Sequence, residues 1–273
     1  MYVDSHNHTS QFSADASMTA SELFLAARSA DLRGVVITEH YEMDYPHFLD
    51  KELIFDVDAY FQSLSADQAS IPSGLSVFSG IELGYQSHLV NFYNQLTSLH
   101  PFDSIILSNH LYKGQDPYFF RECYLEPKHV VFGNYVNELT EMVLSGIDFD
   151  IVGHFDYMSR YAPYEDPRLY YSDAPDEIDR FLSAIILKKK SLEINTRSIN
   201  KHIARGFRDG FPDKEIMHRY LSLGGDRVTL GSDSHDPSTV GCLFSEAAAF
   251  LQSCGFQEVT TYECRKEIRT PIL

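Results

Sequence analysis

Seven short β-rich runs, each followed by polar residues, constrain the fold of this chain more than any other feature. The runs are Tyr2–Asp4, Gly34–Thr38, Ser76–Leu83, Ser104–Leu107, Asp150–Gly153, Ser191–Asn195 and Arg227–Leu230. Helical patterns lie between most of them. Thr19–Ala30 opens on a capping box, Thr19 with Glu22, and stops before Gly34. Asp176–Lys190 carries Ile178, Phe181, Leu182, Ile185 and Ile186 on one face. Asp213–Leu223 carries Ile216, Met217, Tyr220 and Leu221 on one face and ends at Gly224-Gly225. Strands separated by helices pair in parallel, because parallel neighbours need long crossovers. Two α/β architectures satisfy this order: a closed or nearly closed βα barrel and a doubly wound open sheet. The polar ends decide between them. The first run leads into Asp4, His6 and His8, the second into Glu39-His40, the third into Glu82, and the fourth into Asn109-His110. The fifth leads into His154, the sixth into Asn195-Thr196-Arg197, and the seventh into Asp233 and His235. An open sheet gathers its site at one switch point. A barrel draws site residues from many strand ends on one face, so a barrel is expected.

No fixed-period repeat, low-complexity tract or linker interrupts the order, and residues 1–273 read as one barrel domain. The Pro- and Tyr-rich stretch Tyr161–Pro175 is expected to be a loop over the site. Lys plus Arg number 22 and Asp plus Glu 39, a net charge of −17. That excess argues against nucleic acid or an anionic membrane as partner. An anionic substrate would then need a local reversal of the field, which bound cations supply. No apolar run is long enough to cross a membrane, and the opening Met1–His6 has neither the basic start nor the apolar stretch of a signal peptide. Cys123, Cys242, Cys254 and Cys264 are scattered, which suits reduced thiols in the cytoplasm rather than a disulfide framework.

The chain has 12 His. His6, His8, His40, His110, His154 and His235 follow strand runs, whereas His47, His88, His100, His129, His202 and His218 fall in helices or loops and are expected to be solvent-facing or incidental. Imidazoles together with carboxylates suit Zn, Mn or Fe(II). In Asp4-Ser5-His6-Asn7-His8, alternate side chains of an extended backbone point the same way. His6 and His8 can therefore reach one ion, with Asp4 behind them. Asp233-Ser234-His235 repeats the spacing at the seventh run, and a barrel makes the first and last strands neighbours.

Six stretches together resemble the PHP (polymerase and histidinol phosphatase) superfamily: Asp4-x-His6-x-His8, Thr38-Glu39-His40, Gly80-Ile81-Glu82, Ser108-Asn109-His110, Gly153-His154-Phe155-Asp156 and Gly231-Ser232-Asp233-Ser234-His235. Leu192-Glu193-Ile194-Asn195-Thr196 and Gly224–Asp233 add to the likeness, which spans nearly the whole chain and is nearest to the stand-alone histidinol-phosphatase branch. The resemblance implies a distorted (β/α)7 TIM-like barrel with a multinuclear metal site at the C-terminal ends of its strands. It also implies the ligands. His6, His8 and Asp233 match a first metal and Glu82 a bridge to a second. His110 and His154 match the second, and Asp15, His40 and His235 a third. Glu39 and Asp156 are read as acids that orient ligands or lie exposed.

Nine candidate ligands exceed what one zinc ion takes. Up to three divalent ions, Zn, Mn or Fe, sharing Glu82 would hold a bridging water as hydroxide, since a bound metal lowers the pKa of water from about 15.7 towards about 7. Hydroxide attack on phosphorus needs no protein nucleophile, and Glu82 and Asp233 are the candidate catalytic residues. Arg160 and Arg197 are candidates to grip phosphate oxygens. Lys188-Lys189-Lys190 ends a helix, where cations suit the dipole. Tyr161 and Tyr164 are candidates to cover the imidazole end of a substrate. The function so implied is hydrolysis of L-histidinol phosphate to L-histidinol and phosphate, in histidine biosynthesis. The alternatives are a related phosphoesterase acting on a phosphotyrosine peptide or nucleotide, and a non-catalytic metal-stabilised scaffold. A scaffold would be expected to have lost ligands, and an amidohydrolase would show a metal-bridging lysine at a strand end. The expected partners are a small phosphomonoester and its phosphate product, with no nucleic acid and no membrane; no oligomeric state is implied.

Overall fold

The computed structural model describes residues 1–46 and 53–272. The seven runs form one parallel sheet in sequence order, β1 (Val3–Asp4), β2 (Gly34–Tyr41), β3 (Ser76–Gly84), β4 (Ser104–Ser108), β5 (Ile151–Val152), β6 (Ser191–Asn195) and β7 (Val228–Gly231). The sheet closes. The Ser5 N–H donates to the Leu230 carbonyl at 3.0 Å, the His8 N–H to the Ser234 carbonyl at 2.9 Å, and Asn7 bridges Ser234 in parallel. The architecture is the expected distorted seven-stranded barrel rather than an open sheet. Register places His40 beside Glu82 and Glu82 beside Ile106, so consecutive strand ends deliver their polar residues to one face.

The helices are α1 (Ala20–Ser29), α2 (Val57–Asp67), α3 (Val90–Ser98), α4 (Lys128–Leu144), α5 (Pro175–Lys188), α6 (Thr196–Ala204), α7 (Lys214–Ser222) and α8 (Phe244–Cys254). The capping box forms: Thr19 Oγ1 accepts from the Glu22 N–H at 3.3 Å, and Glu22 Oε2 accepts from the Thr19 N–H at 2.8 Å. Helix α5 buries Ile178, Phe181, Leu182 and Ile185, four of the five residues of its apolar stripe, and stops where Lys189 turns left-handed at φ 55°. Asp213 caps α7, and Gly224 at φ 97° follows its end, a conformation that costs glycine little. Among the described residues, no helix is long and apolar enough to cross a membrane.

A two-stranded hairpin, β8 (Glu258–Glu263) with β9 (Lys266–Pro271), lies outside the sequence reading. Its two-residue turn holds Cys264 at φ 50° and Arg265 at φ 62°. Such turns ordinarily announce themselves as Asn-Gly or Asp-Gly, and this one does not. The hairpin covers the base of the barrel. Tyr262 packs on Ile106 and Ile151 and hydrogen-bonds Ser191 Oγ at 2.8 Å. The Arg265 N–H donates to the Asp103 carbonyl at 2.9 Å, and its guanidinium meets Asp150 at 2.5 Å.

Candidate metal centre

Glu82, at the C-terminal half of β3, is wholly buried, and its two carboxylate oxygens address different sets of imidazoles. Oε2 faces His40 Nδ1 at 2.7 Å, His6 Nε2 at 3.3 Å and His8 Nε2 at 3.6 Å. Oε1 faces His154 Nε2 at 2.9 Å and His110 Nε2 at 3.4 Å. Among the described residues, donor atoms fall into three groups, each within 4.8 Å: His6 with His8 and Asp233, Glu82 with His110 and His154, and His8 with His40 and His235. Asp15 stands at the rim, its side chain 56% exposed, 2.9 Å from His235 Nε2 and 3.7 Å from His40 Nε2. All nine residues singled out as ligands therefore gather in one cluster, and five of them, Asp15, His40, His110, Asp233 and His235, line a cavity. His8 touches two of the groups, a sharing that sequence order did not foretell.

The donor set fits divalent ions. His6 Nε2, His8 Nε2, His40 Nδ1 and Glu82 Oε2 are buried without a hydrogen-bond partner, and such groups are costly unless something pairs with them. His110 Nε2 lies 3.1 Å from His154 Nε2, and His40 Nε2 3.3 Å from His235 Nε2. Two imidazole nitrogens this close cannot both present lone pairs: an N–H hydrogen or a cation lies between them. The electrostatics agree. Burial opposes charge at His6, but Glu193, Glu82 and Asp233 raise its pKa well above the ordinary value. Burial is likewise overcome at His110 by Glu42 and Glu82, again well above, and at His40 by Glu82 and Asp15, up to about 9. Burial and the neighbouring His40 and His235 push His8 well below. Burial would raise Glu82, yet His6, His40 and His110 hold it well below the carboxylate range. The pocket asks for positive charge at fixed points, and several divalent ions would meet that demand with neutral imidazoles.

Acids stand behind the imidazoles. Glu193 on β6 accepts from His6 Nδ1 at 2.8 Å and from the His154 N–H at 2.6 Å. Glu42, just past β2, meets His110 Nδ1 at 2.5 Å. Neither was singled out from sequence, although each stands two residues from a residue that was, His40 and Asn195, and so shares its face. Glu39 accepts from Ser13 Oγ at 2.5 Å and from the Thr9 N–H at 3.1 Å, and Ser13 lies 3.4 Å from His8 Nδ1. Asp4 ties β1 to the β7 loop through the Ser232 N–H at 2.9 Å, and burial raises its pKa to about 6 despite that bond.

Arg160, on the single turn Tyr157–Arg160 after β5, is buried. It donates to Ser198 Oγ and Asn195 Oδ1, both at 2.8 Å, and meets Asp233 Oδ2 at 2.9 Å. Asp156 accepts from the same Ser198 hydroxyl at 2.9 Å. Arg197, in the first turn of α6, meets the other oxygen of Asp233 at 3.1 Å and approaches His235 Nε2 at 3.0 Å. Burial would raise Asp233, but Arg197 and Arg160 hold it well below the ordinary range. Both arginines line a cavity of about 440 Å³ whose floor includes His40, His110, Asp233 and His235, and whose wall includes Tyr45, Tyr118, Phe119, Tyr157, Tyr161 and Asp116.

Other expectations divide. Tyr161 lines the cavity, but Tyr164 does not: its hydroxyl donates to the Glu126 carbonyl at 3.0 Å and its ring packs on Tyr124 and Phe132. His202 is a correction. Expected to be solvent-facing or incidental, it is buried between Ser159 Oγ at 3.1 Å and the Gly210 carbonyl at 3.2 Å, because three positions past Ile199 it falls on the inner face of α6. His88, His129 and His218 are exposed, His100 packs beside Phe61, and His47 lies outside the described residues. Lys188–Lys190 line a separate depression with Asp148, Asp150 and Arg265 at the base of the barrel.

A PHP domain matches residues 4–197. The probable histidinol-phosphatase of Clostridium acetobutylicum is 32% identical over 95% of this chain and 96% of its own length. The histidinol-phosphatase of Lactococcus lactis is 27% identical over 97% of this chain and 95% of its own. The crystal structure of the L. lactis histidinol phosphate phosphatase, complexed with zinc, L-histidinol and phosphate, superposes with a TM-score of 0.86 at 26% identity, covering 98% of this chain and all of that one. A putative histidinol phosphatase from Listeria monocytogenes shares the fold at a TM-score of 0.75 and 18% identity, over 89% of this chain and 99% of its own.

Proposed function

The chain belongs to the PHP domain family, and from that premise we propose that it is a metal-dependent phosphomonoesterase that hydrolyses L-histidinol phosphate to L-histidinol and phosphate. The observation that carries the reading is Glu82, whose two oxygens face two separate imidazole sets, as a carboxylate bridging two ions requires. In this reading His6, His8 and Asp233 hold one ion, His110 and His154 a second, and Asp15, His40 and His235 a third, with zinc the first choice because the L. lactis relative binds it. Bound there, the ions lower the pKa of water towards about 7 and offset charge on phosphate oxygens.

The protein's own share is positioning and charge. Glu82 fixes the separation of two ion sites. Asp233 stays ionised beside both arginines. Each guanidinium has five donors, enough to keep Asp233 and still hold a phosphate oxygen, which orients the ester with its leaving group away from the floor. The aromatic wall of Tyr118, Phe119, Tyr157 and Tyr161 suits an imidazole ring, and Asp116 within it suits an ammonium group. We place the protein in the cytoplasm on its four free cysteines and take residues 1–273 as one domain.

Phosphate release from L-histidinol phosphate, a phosphotyrosine peptide, a nucleoside monophosphate and a phosphodiester, with zinc-, manganese- and iron-loaded protein, tests this. We expect the highest kcat/KM on histidinol phosphate and none after chelation. Turnover of the peptide or nucleotide with none on histidinol phosphate would overturn the substrate, and full turnover after chelation the mechanism.

A further inference from the structure

Three glycines, Gly84 and Gly231 in strands and Gly153 directly after β5, stand against three polar groups behind the centre. A β-carbon at Gly84 would lie 1.7 Å from Glu42 Oε2 and 2.4 Å from its Cδ. One at Gly231 would lie 2.0 Å from Glu193 Oε1, and one at Gly153 2.1 Å from Ser108 Oγ. None of the three has a positive φ, so the backbone itself does not call for glycine. A glycine inside a buried strand sacrifices packing and marks close approach of another group.

The arrangement is periodic around the wall. Gly84 is the register partner of Ser108. One residue past Tyr41↔Leu83, Glu42 comes beside Gly84. One past Leu107↔Val152, Ser108 comes beside Gly153. One past Val152↔Leu192, Gly153 comes beside Glu193. The layer under the centre thus reads Glu42, Gly84, Ser108, Gly153, Glu193, a polar side chain next to an absent one at each step. Each polar residue directs its far atom at the centre: Glu42 at His110 Nδ1 (2.5 Å), Ser108 at Glu82 Oε1 (2.6 Å) and Glu193 at His6 Nδ1 (2.8 Å).

We propose that Glu42, Ser108 and Glu193 are positioning residues of the metal centre, held in slots that Gly84, Gly153 and Gly231 leave open. The proposal rests on the metal-centre reading above. A carboxylate on Nδ1 fixes the tautomer and turns Nε2 inward, which is where His6 Nε2 and His110 Nε2 point, at 3.3 and 3.4 Å from Glu82. All three atoms nearest a β-carbon at Gly84 belong to Glu42, and its carboxylate is the far end of a flexible side chain. A methyl there displaces the carboxylate, leaves the barrel folded and releases His110.

A double-mutant cycle on zinc affinity, measured by competition with a chromogenic chelator, tests this, with melting curves of the metal-free proteins alongside. Gly84→Ala and Glu42→Ala are each expected to weaken zinc retention by about 10- to 100-fold. Gly84→Ala in the Glu42→Ala background is expected to change it by less than about twofold, because the group it displaces is already gone. Losses that multiply, or a Gly84→Ala protein with unchanged zinc affinity, would overturn the proposal while leaving the metal centre standing. Glu42→Gln, which keeps the side chain's shape, is expected to lose zinc affinity at an unchanged metal-free melting temperature; unchanged affinity there also overturns it. Wild-type protein that takes up no zinc would overturn the metal-centre reading, and this proposal with it.

Discussion

Asp233 is where the two kinds of charge in the site meet: it faces His8 Nε2 at 3.6 Å on one side and two guanidinium groups on the other. The two arginines are not equivalent. Arg160 is buried with three partners, whereas the Arg197 side chain is 32% exposed. Arg197→Ala is expected to lower kcat/KM by about 10- to 150-fold, the equivalent of a charge-assisted contact of about 1.5–3 kcal/mol, with little change in melting temperature. Arg160→Ala is expected to lose both activity and stability, because Ser198, Asn195 and Asp233 each lose a buried charge-assisted partner. Kinetics beside melting curves separates the two, and unchanged kcat/KM in both would remove the phosphate role. The imidazoles predict a pH dependence. His40 is raised from 6.5 to about 9 in the metal-free protein, so its charge stabilises the fold fully below 6.5 and that contribution is lost as pH rises through about 9. Zinc needs the neutral ring. Zinc added at pH 7 should therefore release protons into a weakly buffered indicator solution, and zinc affinity should climb with pH towards about 9; no proton release would contradict the charge assignments. Asp15 entered through the family resemblance alone, whereas the strand-end candidates Glu82, Asp233 and six histidines were legible because they stand at or just past apolar runs. Glu42 and Glu193 were not, because their meaning lies in strands remote in sequence, and His202 was misjudged because its helix was not recognised.

Strands and helices carry the site at one end of the barrel and its closure at the other. The hairpin β8–β9 seals the base through Tyr262, whose hydroxyl meets Ser191 at the N-terminal end of β6, whereas the ligands lie at the C-terminal strand ends. Tyr262→Ala is expected to cost about 3–5 kcal/mol of stability, as large aromatic truncations do, while kcat/KM at a temperature where the protein remains folded stays within about twofold. A loss of activity at full stability would show that the base communicates with the mouth. The seven strands were readable because their runs are apolar and β-rich and end on polar residues. The hairpin was not, because its turn is Cys264-Arg265, whose left-handed backbone no turn-forming residue announces.

At the scale of the whole molecule, a chain of net charge −17 converges five of its 12 histidines on one buried carboxylate, and bound cations would reconcile the two. Ions that bind the folded barrel and not the unfolded chain stabilise it, by about 2.7 kcal/mol when free metal is at about 100 times its Kd. Chelation should therefore lower the melting temperature as well as activity, and zinc should restore both together. The most direct test of the account is a titration of chelator-stripped protein with zinc, following bound metal and phosphate release from L-histidinol phosphate in the same samples. The account predicts negligible release from the stripped protein, and release that rises with bound zinc and levels off at two to three equivalents, the number the donor groups can hold. Full phosphate release before any zinc is bound, or no release with the site saturated, would contradict it.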